Sequence, residues 1–156
     1  MNEPELQQYL YDHIPLSKAM EVEVLSITSH SVKLSAPLEP NINHRETVFG
    51  GSASAVAILS AWCLLHTSLR RAGHGPETRL VIQRNTMEYT LPIVGRFTST
   101  AQFAADEAAS ELSTELARFL NTLKRHKKAR ISVSAKLEFG GQICGSLTGD
   151  FVALNY

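Results

Sequence analysis

Cysteine is scarce in this sequence, and its two copies, Cys63 and Cys144, lie far apart. A disulfide scaffold or a zinc cage needs several cysteines at short, regular spacing, so the sequence excludes both frameworks. Two buried thiols in a reducing compartment are the expected interpretation. Histidine occurs 6 times, but no pair has the spacing of a metal site. We therefore predict no metal ligands and no cofactor.

An excess of charge of one sign is also lacking, because 15 Lys+Arg balance 15 Asp+Glu. A net charge of zero argues against a general attraction to nucleic acid or to acidic membranes, and we predict neither partner. One local basic concentration, within residues 118–130, could hold the phosphates of a ligand or an acidic protein surface. Its candidate binding residues are Arg125, Lys127 and Lys128. The alternative is a solvated helix end whose charges match the helix dipole.

The N-terminus lacks the apolar segment of a signal peptide, so a cytoplasmic location is the default expectation. The length of 156 residues predicts a single domain over residues 1–156. Residues 47–69 contain no charged side chain, and this stretch is long enough to cross a bilayer. Many of its members are small or polar, which favours a helix surrounded by protein over a membrane span.

Hydrophobic periodicity predicts the order of the elements. A short helix over residues 4–14, ended by Pro15, is followed by strands near residues 20–24 and 32–36. The long uncharged helix begins near Gly50 and ends before Gly73. Strands follow over 80–91 and 97–103, then a helix with its apolar stripe over 112–123, then strands over 131–139 and 143–154. This order indicates an α+β fold in which a curled antiparallel sheet of about six strands wraps one long central helix. A dimer that continues the sheet would cover its edges.

The 41–49 loop and the helix that follows it carry a resemblance to a known family. Residues 41–52 read NINHRETVFGGS, and residues 149–154 read GDFVAL. These strings, in the predicted order of elements, resemble the hot-dog fold thioesterase superfamily. They are most similar to the thioesterase-like domain found behind a GNAT-type acetyltransferase in some bacteria, and we expect that domain to stand alone here. The resemblance covers nearly the whole chain.

This resemblance implies a hot-dog enzyme that hydrolyses an acyl thioester and works as a homodimer, with a tetramer as a further option. The substrate would be an acyl-CoA or an acyl carrier protein, so coenzyme A would be part of the substrate and not a cofactor. The thioester would lie at the N-terminus of the central helix, and water would attack it directly.

One branch of the superfamily, the phenylacetyl-CoA thioesterases, has the loop pattern Asn-x-x-Gly-Thr-x-His-Gly-Gly and a water-activating carboxylate on the helix. The residues that match this pattern are Asn43, Thr47, Gly50 and Gly51. The residues that differ are Glu46 in place of the glycine, Phe49 in place of the histidine and Ile58 in place of the carboxylate. The usual general base is therefore absent from its usual position.

We predict that Gly50 and Gly51 present free backbone N–H groups to the thioester carbonyl as it becomes an oxyanion. The alternative is that both glycines only allow close packing. The side-chain amide of Asn43 would orient the attacking water or the carbonyl, with Asn41 beside it in contact with substrate. An Asx-type turn is the alternative role for both asparagines. Hydroxyls of Thr47 and Ser52 would act in catalysis and binding respectively, or would only cap the helix.

With Ile58 unable to act as a base, His44 and Glu46 are the candidates, because they lie in the same loop and titrate in a useful range. The alternative is that both are solvated loop residues. Glu88 and Asp150 are more remote candidates. An apolar slot for the acyl chain would be lined by Val48, Phe49, Ile58, Trp62 and Leu65, with Phe103, Leu116 and Phe119 as a lid, although these residues are also ordinary core formers.

Two rival functions stay open at this point. Hydration or dehydration of a hydroxyacyl thioester uses the same fold, but it needs a histidine and a carboxylate facing one carbon–carbon bond. Phe49 and Ile58 occupy those places. A non-catalytic module that binds acyl thioesters is the second rival, because a missing acid and a missing histidine are also what a decayed active site looks like.

Overall fold

A computed structural model describes residues 1–103 and 114–156 of the chain. Within these ranges the helices are α1 (Glu3–His13), α2 (Pro15–Ala19), a short 3-10 helix (Glu39–Asn41), α3 (Gly50–Arg71) and α4 (Thr114–His126). The strands are β1 (Glu23–Ile27), β2 (Ser31–Ala36), β3 (Thr78–Tyr89), β4 (Phe97–Phe103), β5 (Lys128–Phe139) and β6 (Gln142–Asn155).

The six strands form one antiparallel sheet in the order β1-β2-β4-β5-β6-β3. Strands β2 to β6 all contact α3, so the sheet curls around this helix. The inward side chains of β2, β4 and β5 alternate with outward polar ones, as a sheet with one buried face requires. The predicted α+β architecture, with about six strands around one long helix, is confirmed.

Two boundaries near the N-terminus differ from the prediction. Pro15 ends α1 as expected, but it also opens α2, because proline is well suited to the first turn of a helix. Met20 and Val22 are buried yet precede β1, since Glu21 adopts a left-handed φ of 55° that interrupts an extended chain. The helix predicted over residues 112–123 is present from Thr114 onward, and Leu112 lies outside the described residues.

Helix α3 is buried along most of its 22 residues. It is long and apolar enough to pass a length and hydropathy test for a membrane span, with a mean hydropathy of 1.4, but most of that stretch is buried inside the protein. The hydroxyls of Ser60, Thr67 and Ser68 donate to carbonyl oxygens of the preceding turn, and the Ser60 hydroxyl lies 2.8 Å from the Ser99 hydroxyl of β4. Both cysteines are free and buried, as predicted. The surrounding sheet thus buries the apolar surface of this helix.

Candidate functional site

The 41–49 loop is anchored to the protein by Asn41. This side chain is buried, and its amide group donates to the carbonyl oxygens of Pro37 at 2.8 Å and Met20 at 3.0 Å. The Phe49 N–H donates to the Asn41 carbonyl at 2.7 Å, which closes the loop. Asn41 therefore fixes where α3 begins, and it lies away from the walls of both cavities described below.

Asn43 holds the interior of the same loop. Its Oδ1 accepts from the backbone N–H groups of Arg45 at 2.8 Å and Thr47 at 3.1 Å, and its Nδ2 donates to the Thr47 hydroxyl at 2.8 Å. This is the Asx-type turn that the sequence left open as an alternative. The Thr47 hydroxyl is part of this turn, because it accepts from Asn43, and it does not cap the helix. A direct role of either residue on substrate stays a prediction.

The first turn of α3 has no side-chain cap. Its N-cap residue is Phe49, which carries no polar side-chain atom. Ala53 is the first helix residue with a bonded N–H, which donates to the Phe49 carbonyl at 3.0 Å. Within the described residues, the N–H groups of Gly50, Gly51 and Ser52 have no hydrogen-bond partner. Ser52 is not a cap either, so three donors and the positive end of the helix dipole are available to a negatively charged oxygen.

The two glycines at this helix start differ in the space around them. A Cβ on Gly50 would make an ordinary contact with the Tyr89 ring at 3.6 Å, so packing does not require glycine there. A Cβ on Gly51 would lie 2.3 Å from Cε2 of Phe49, because the Phe49 ring folds over that residue. Close packing therefore explains the glycine at position 51 only because the exposed Phe49 ring lies against it. Close packing does not explain the glycine at position 50.

A cleft of about 400 Å³ opens beside the first turn of α3. Its wall is mostly apolar and comes from the helix start, the β3–β4 connection and the hairpin of β5 and β6, with the residues Val48, Gly50, Ala53, Tyr89, Thr90, Leu91, Pro92, Ile93, Leu137 and Cys144. Val48 joins it to the loop, since its N–H donates to the Ile93 carbonyl at 2.9 Å. The titratable side chains on this wall are those of Tyr89 and Cys144.

A separate apolar groove of about 260 Å³ lies along the next turns of α3. It is lined by Ile14, Leu16, Met20, Ala55, Ile58, Leu59, Trp62, Ile82 and Phe151. A helix advances 100° per residue, so Ala55, Ile58 and Trp62 share a face with Gly51. Two of the predicted acyl-chain residues, Ile58 and Trp62, are thus brought together here. Phe49 is exposed beside Gly51, whereas the predicted slot residue Leu65 is fully buried in the core.

The remaining candidates lie at the surface. His44 and Glu46 are exposed on the loop, and Glu46 has a left-handed φ of 64°, at the position where the resembling branch has glycine. Arg125, Lys127 and Lys128 are also exposed, at the end of α4 and the start of β5. Lys128 is nine residues from the cleft residue Leu137 along β5, or roughly 30 Å in a strand. A single chain therefore does not bring the basic residues to the cleft.

The two remote base candidates are separated from the cleft. The Asp150 carboxylate accepts from the Ser132 hydroxyl at 2.5 Å and lies 3.8 Å from Nε of Arg84, so it already interacts with two side chains. Glu88 is exposed on β3 and, as the neighbour of Tyr89, projects to the opposite face of the strand. Among the described residues, no group of three or more His, Cys, Asp or Glu side chains is placed to hold a metal ion.

Sequence reasoning missed Tyr89. Its hydroxyl donates to the Gly50 carbonyl at 3.2 Å, and its ring forms part of the cleft wall. This bond links β3 to the first turn of α3 and polarises the peptide group whose N–H belongs to Gly51. The available signal was the position of an aromatic residue at the end of a strand, which does not by itself indicate a contact 39 residues away.

Solved structures of other proteins share this fold. A protein of unknown function from Chlorobaculum tepidum is 29% identical, with a TM-score of 0.85 over 99% of this chain and 94% of that chain. A putative thioesterase from Shewanella oneidensis is 24% identical, with a TM-score of 0.82 over 97% and 96%. A thioesterase from Haemophilus influenzae is 10% identical, with a TM-score of 0.71 over 99% and 92%. The hot-dog fold is confirmed.

The sequence also matches a family model over nearly its full length. The match covers residues 3–155, and the family is described as putative thioesterase (yiiD_Cterm). The loop, the glycines and both cavities described above all lie inside the matched range. The chain therefore belongs to the YiiD_C family of putative thioesterases, with a hot-dog fold.

Proposed function

We propose that this protein hydrolyses an acyl thioester, carried by coenzyme A or by an acyl carrier protein, at the start of α3. The observation that carries the proposal is the uncapped first turn, where Gly50, Gly51 and Ser52 leave three N–H groups free beside a cleft. Natural helices usually satisfy these donors, so leaving them free at a concave surface points to a ligand oxygen.

In the proposed reaction, the oxygen of a water molecule attacks the thioester carbonyl carbon. The carbonyl oxygen becomes an oxyanion that accepts from the free N–H groups, which are fixed in place before the reaction. The tetrahedral intermediate then collapses, the carbon–sulfur bond breaks, and the thiolate leaves and takes up a proton. A loop base removes the proton of the attacking water, and His44 and Glu46 are the candidates nearest to the helix start in sequence.

We place the acyl chain in the apolar groove beside Ile58 and Trp62. The groove presents almost no polar surface, so an alkyl or aryl group would lose little hydrogen bonding on entering it. In this arrangement Ile58 extends the apolar wall, at the position where a related branch has its carboxylate. The cleft on the Gly50 side is then left for the thiol-bearing arm of the carrier.

We also propose that the active protein is a homodimer formed along β3. This strand is an edge of the sheet, is 12 residues long and exposes the apolar side chains Val81 (51%) and Tyr89 (57%). A long edge strand that exposes apolar side chains among polar ones is normally covered, and a second copy of the same strand matches it in length. Sedimentation equilibrium should give twice the chain mass of 17.2 kDa; a stable monomer at micromolar concentration would contradict this.

Release of free thiol from a panel of acyl-CoAs tests the proposed hydrolysis. The parent protein should turn over at least one member of a short, medium, long and aromatic series. Replacing the loop base, by His44→Ala or Glu46→Ala, should lower kcat by about 100-fold or more for one of the two variants. Arg45→Ala is the matched control, because Arg45 is exposed and contributes only its backbone N–H to the loop. Its kcat should stay within about twofold of the parent.

Full activity in both base variants would show that the water-activating group lies elsewhere. A non-catalytic binding module is the second candidate, and it is favoured by one observation: the described residues on the cleft wall include no carboxylate or imidazole. Saturable binding of an acyl-CoA by calorimetry, with no thiol released from CoA or carrier-protein thioesters, would select that module over the hydrolase.

A further inference from the structure

A small polar pocket lies at the opposite end of α3 from the glycines. Helix residues Trp62, His66 and Arg70 form one wall, Tyr9 of α1 forms another, and the β3 end is closed by the residues His74, Gly75, Pro76, Thr78 and Leu80. Arg70 is 20 residues beyond Gly50, or about 30 Å along the helix axis. We call this the histidine pocket; it shares Trp62 with the acyl groove, and its charged groups lie at the end of α3 opposite the proposed hydrolysis.

His66 is the unusual member of the pocket. Its ring stacks on Trp62 at a centroid distance of 4.6 Å and meets the tilted ring of Tyr9 at 4.7 Å, and the Trp62 and Tyr9 centroids are 6.3 Å apart. The residue is only 7% exposed, and its Nε2 is buried with no hydrogen-bond partner in the described part of the chain. An unsatisfied buried nitrogen costs about 1–3 kcal/mol, so proteins rarely leave one without a water or ligand partner.

Arg70 brings a positive charge to the pocket. Arg70 is partly buried and has no carboxylate within 4.0 Å among the described residues. His74 lies at the β3 end of the pocket. The Glu77 carboxylate is turned back onto its own loop, where its Oε1 accepts from the Gly75 N–H at 3.0 Å. Hydrogen bonds from the Glu77 and Gly75 backbone hold the pKa of Glu77 below its usual range, and His74 and Arg70 add to this effect.

We propose that the histidine pocket binds a small oxyanion, a carboxylate or a phosphoryl group, between the Arg70 guanidinium and the imidazole of His66. The guanidinium supplies forked donors that match such a group, and neutral His66 can carry its ring proton on Nε2 and donate it. A volume of about 90 Å³ corresponds to roughly three water molecules, which suits a group of four or five heavy atoms. The aromatic walls exclude water and strengthen each bond.

Titration with inorganic phosphate and with acetate, at constant ionic strength, tests the proposal on the parent protein. Phosphate should raise the Tm by about 5 °C, with a rise that follows the logarithm of its concentration above the dissociation constant, and calorimetry should give a saturable isotherm with a millimolar dissociation constant. Acetate should compete with it, because both present the same oxygens. Saturation by phosphate without competition by acetate also supports the pocket and assigns it to phosphoryl groups, whereas the reverse assigns it to carboxylates.

Three variants locate the binding. Arg70→Gln should abolish the saturable binding seen by calorimetry, and Glu77→Gln should tighten binding several-fold, because it removes a negative charge that interacts with Arg70. Arg71→Gln is the matched control on the same helix, since Arg71 is exposed and does not line the pocket, and it should behave like the parent. Calorimetric binding that is equal in Arg70→Gln and parent, or binding heats that do not saturate with anion concentration, would overturn the proposal.

Discussion

Gly51→Ala is expected to lower kcat/KM for thioester hydrolysis by about tenfold or more, while Gly50→Ala stays within about threefold of the parent. The new Cβ would lie 2.3 Å from the Phe49 ring, so the ring must leave its place over the first turn of α3. The free N–H groups then face water, which weakens their interaction with an oxyanion. The same methyl on Gly50 finds only an ordinary contact at 3.6 Å.

Folding should tolerate both substitutions, because alanine is about 1 kcal/mol better than glycine in a helix and Phe49 can rotate toward solvent. Urea unfolding should therefore place both variants within about 1 kcal/mol of the parent. A double-mutant cycle isolates the cause: Phe49→Ala alone should lose as much activity as Gly51→Ala, and the double variant should lose no more. Equal activity of the two glycine variants would show that the Phe49 ring plays no part.

The central feature of the fold could be predicted from sequence because its signal is long and local. A long uncharged stretch that contains two adjacent glycines near its start predicts a buried helix in a globular protein. Helix α3 begins at Gly50 as expected. The alternation in β4 and β5 and the glycine pair of the β5–β6 turn, with φ of 60° and 79°, are equally local signals. Repetition over many residues made each of these elements predictable.

The site was predictable only in part, because its decisive contacts join residues that are distant in sequence. Asn41 and Asn43 look alike in the loop, yet one is buried against Met20 and Pro37 and the other builds a turn. The folding of Phe49 over Gly51 depends on a rotamer, and the Tyr89 contact depends on the register of β3 against the helix. Neither is encoded in a periodic pattern.

His66→Phe is expected to remove much of the acid sensitivity of folding. Burial lowers the pKa of His66 to about 4 from its ordinary 6.5, with Arg70 on its own helix and His13 on α1 adding to the effect. Between these two values the unfolded chain binds a proton that the folded protein does not. The contribution of His66 to the free energy of unfolding is therefore fully present above pH 6.5 and is lost as the pH falls toward 4. At pH 5 the loss from this residue is about 2 kcal/mol.

Phenylalanine keeps a flat ring in contact with Trp62 and Tyr9 but cannot take up a proton. Urea unfolding at pH 8 and pH 5, in buffers free of phosphate and carboxylate, should give a difference in unfolding free energy that is about 2 kcal/mol smaller in the variant than in the parent. Thr67→Val, at a buried neighbour that does not titrate, should shift stability equally at both pH values. If His66→Phe preserves the full pH dependence of the parent, then the acid sensitivity comes from other groups, and the buried imidazole is not what couples folding to protons.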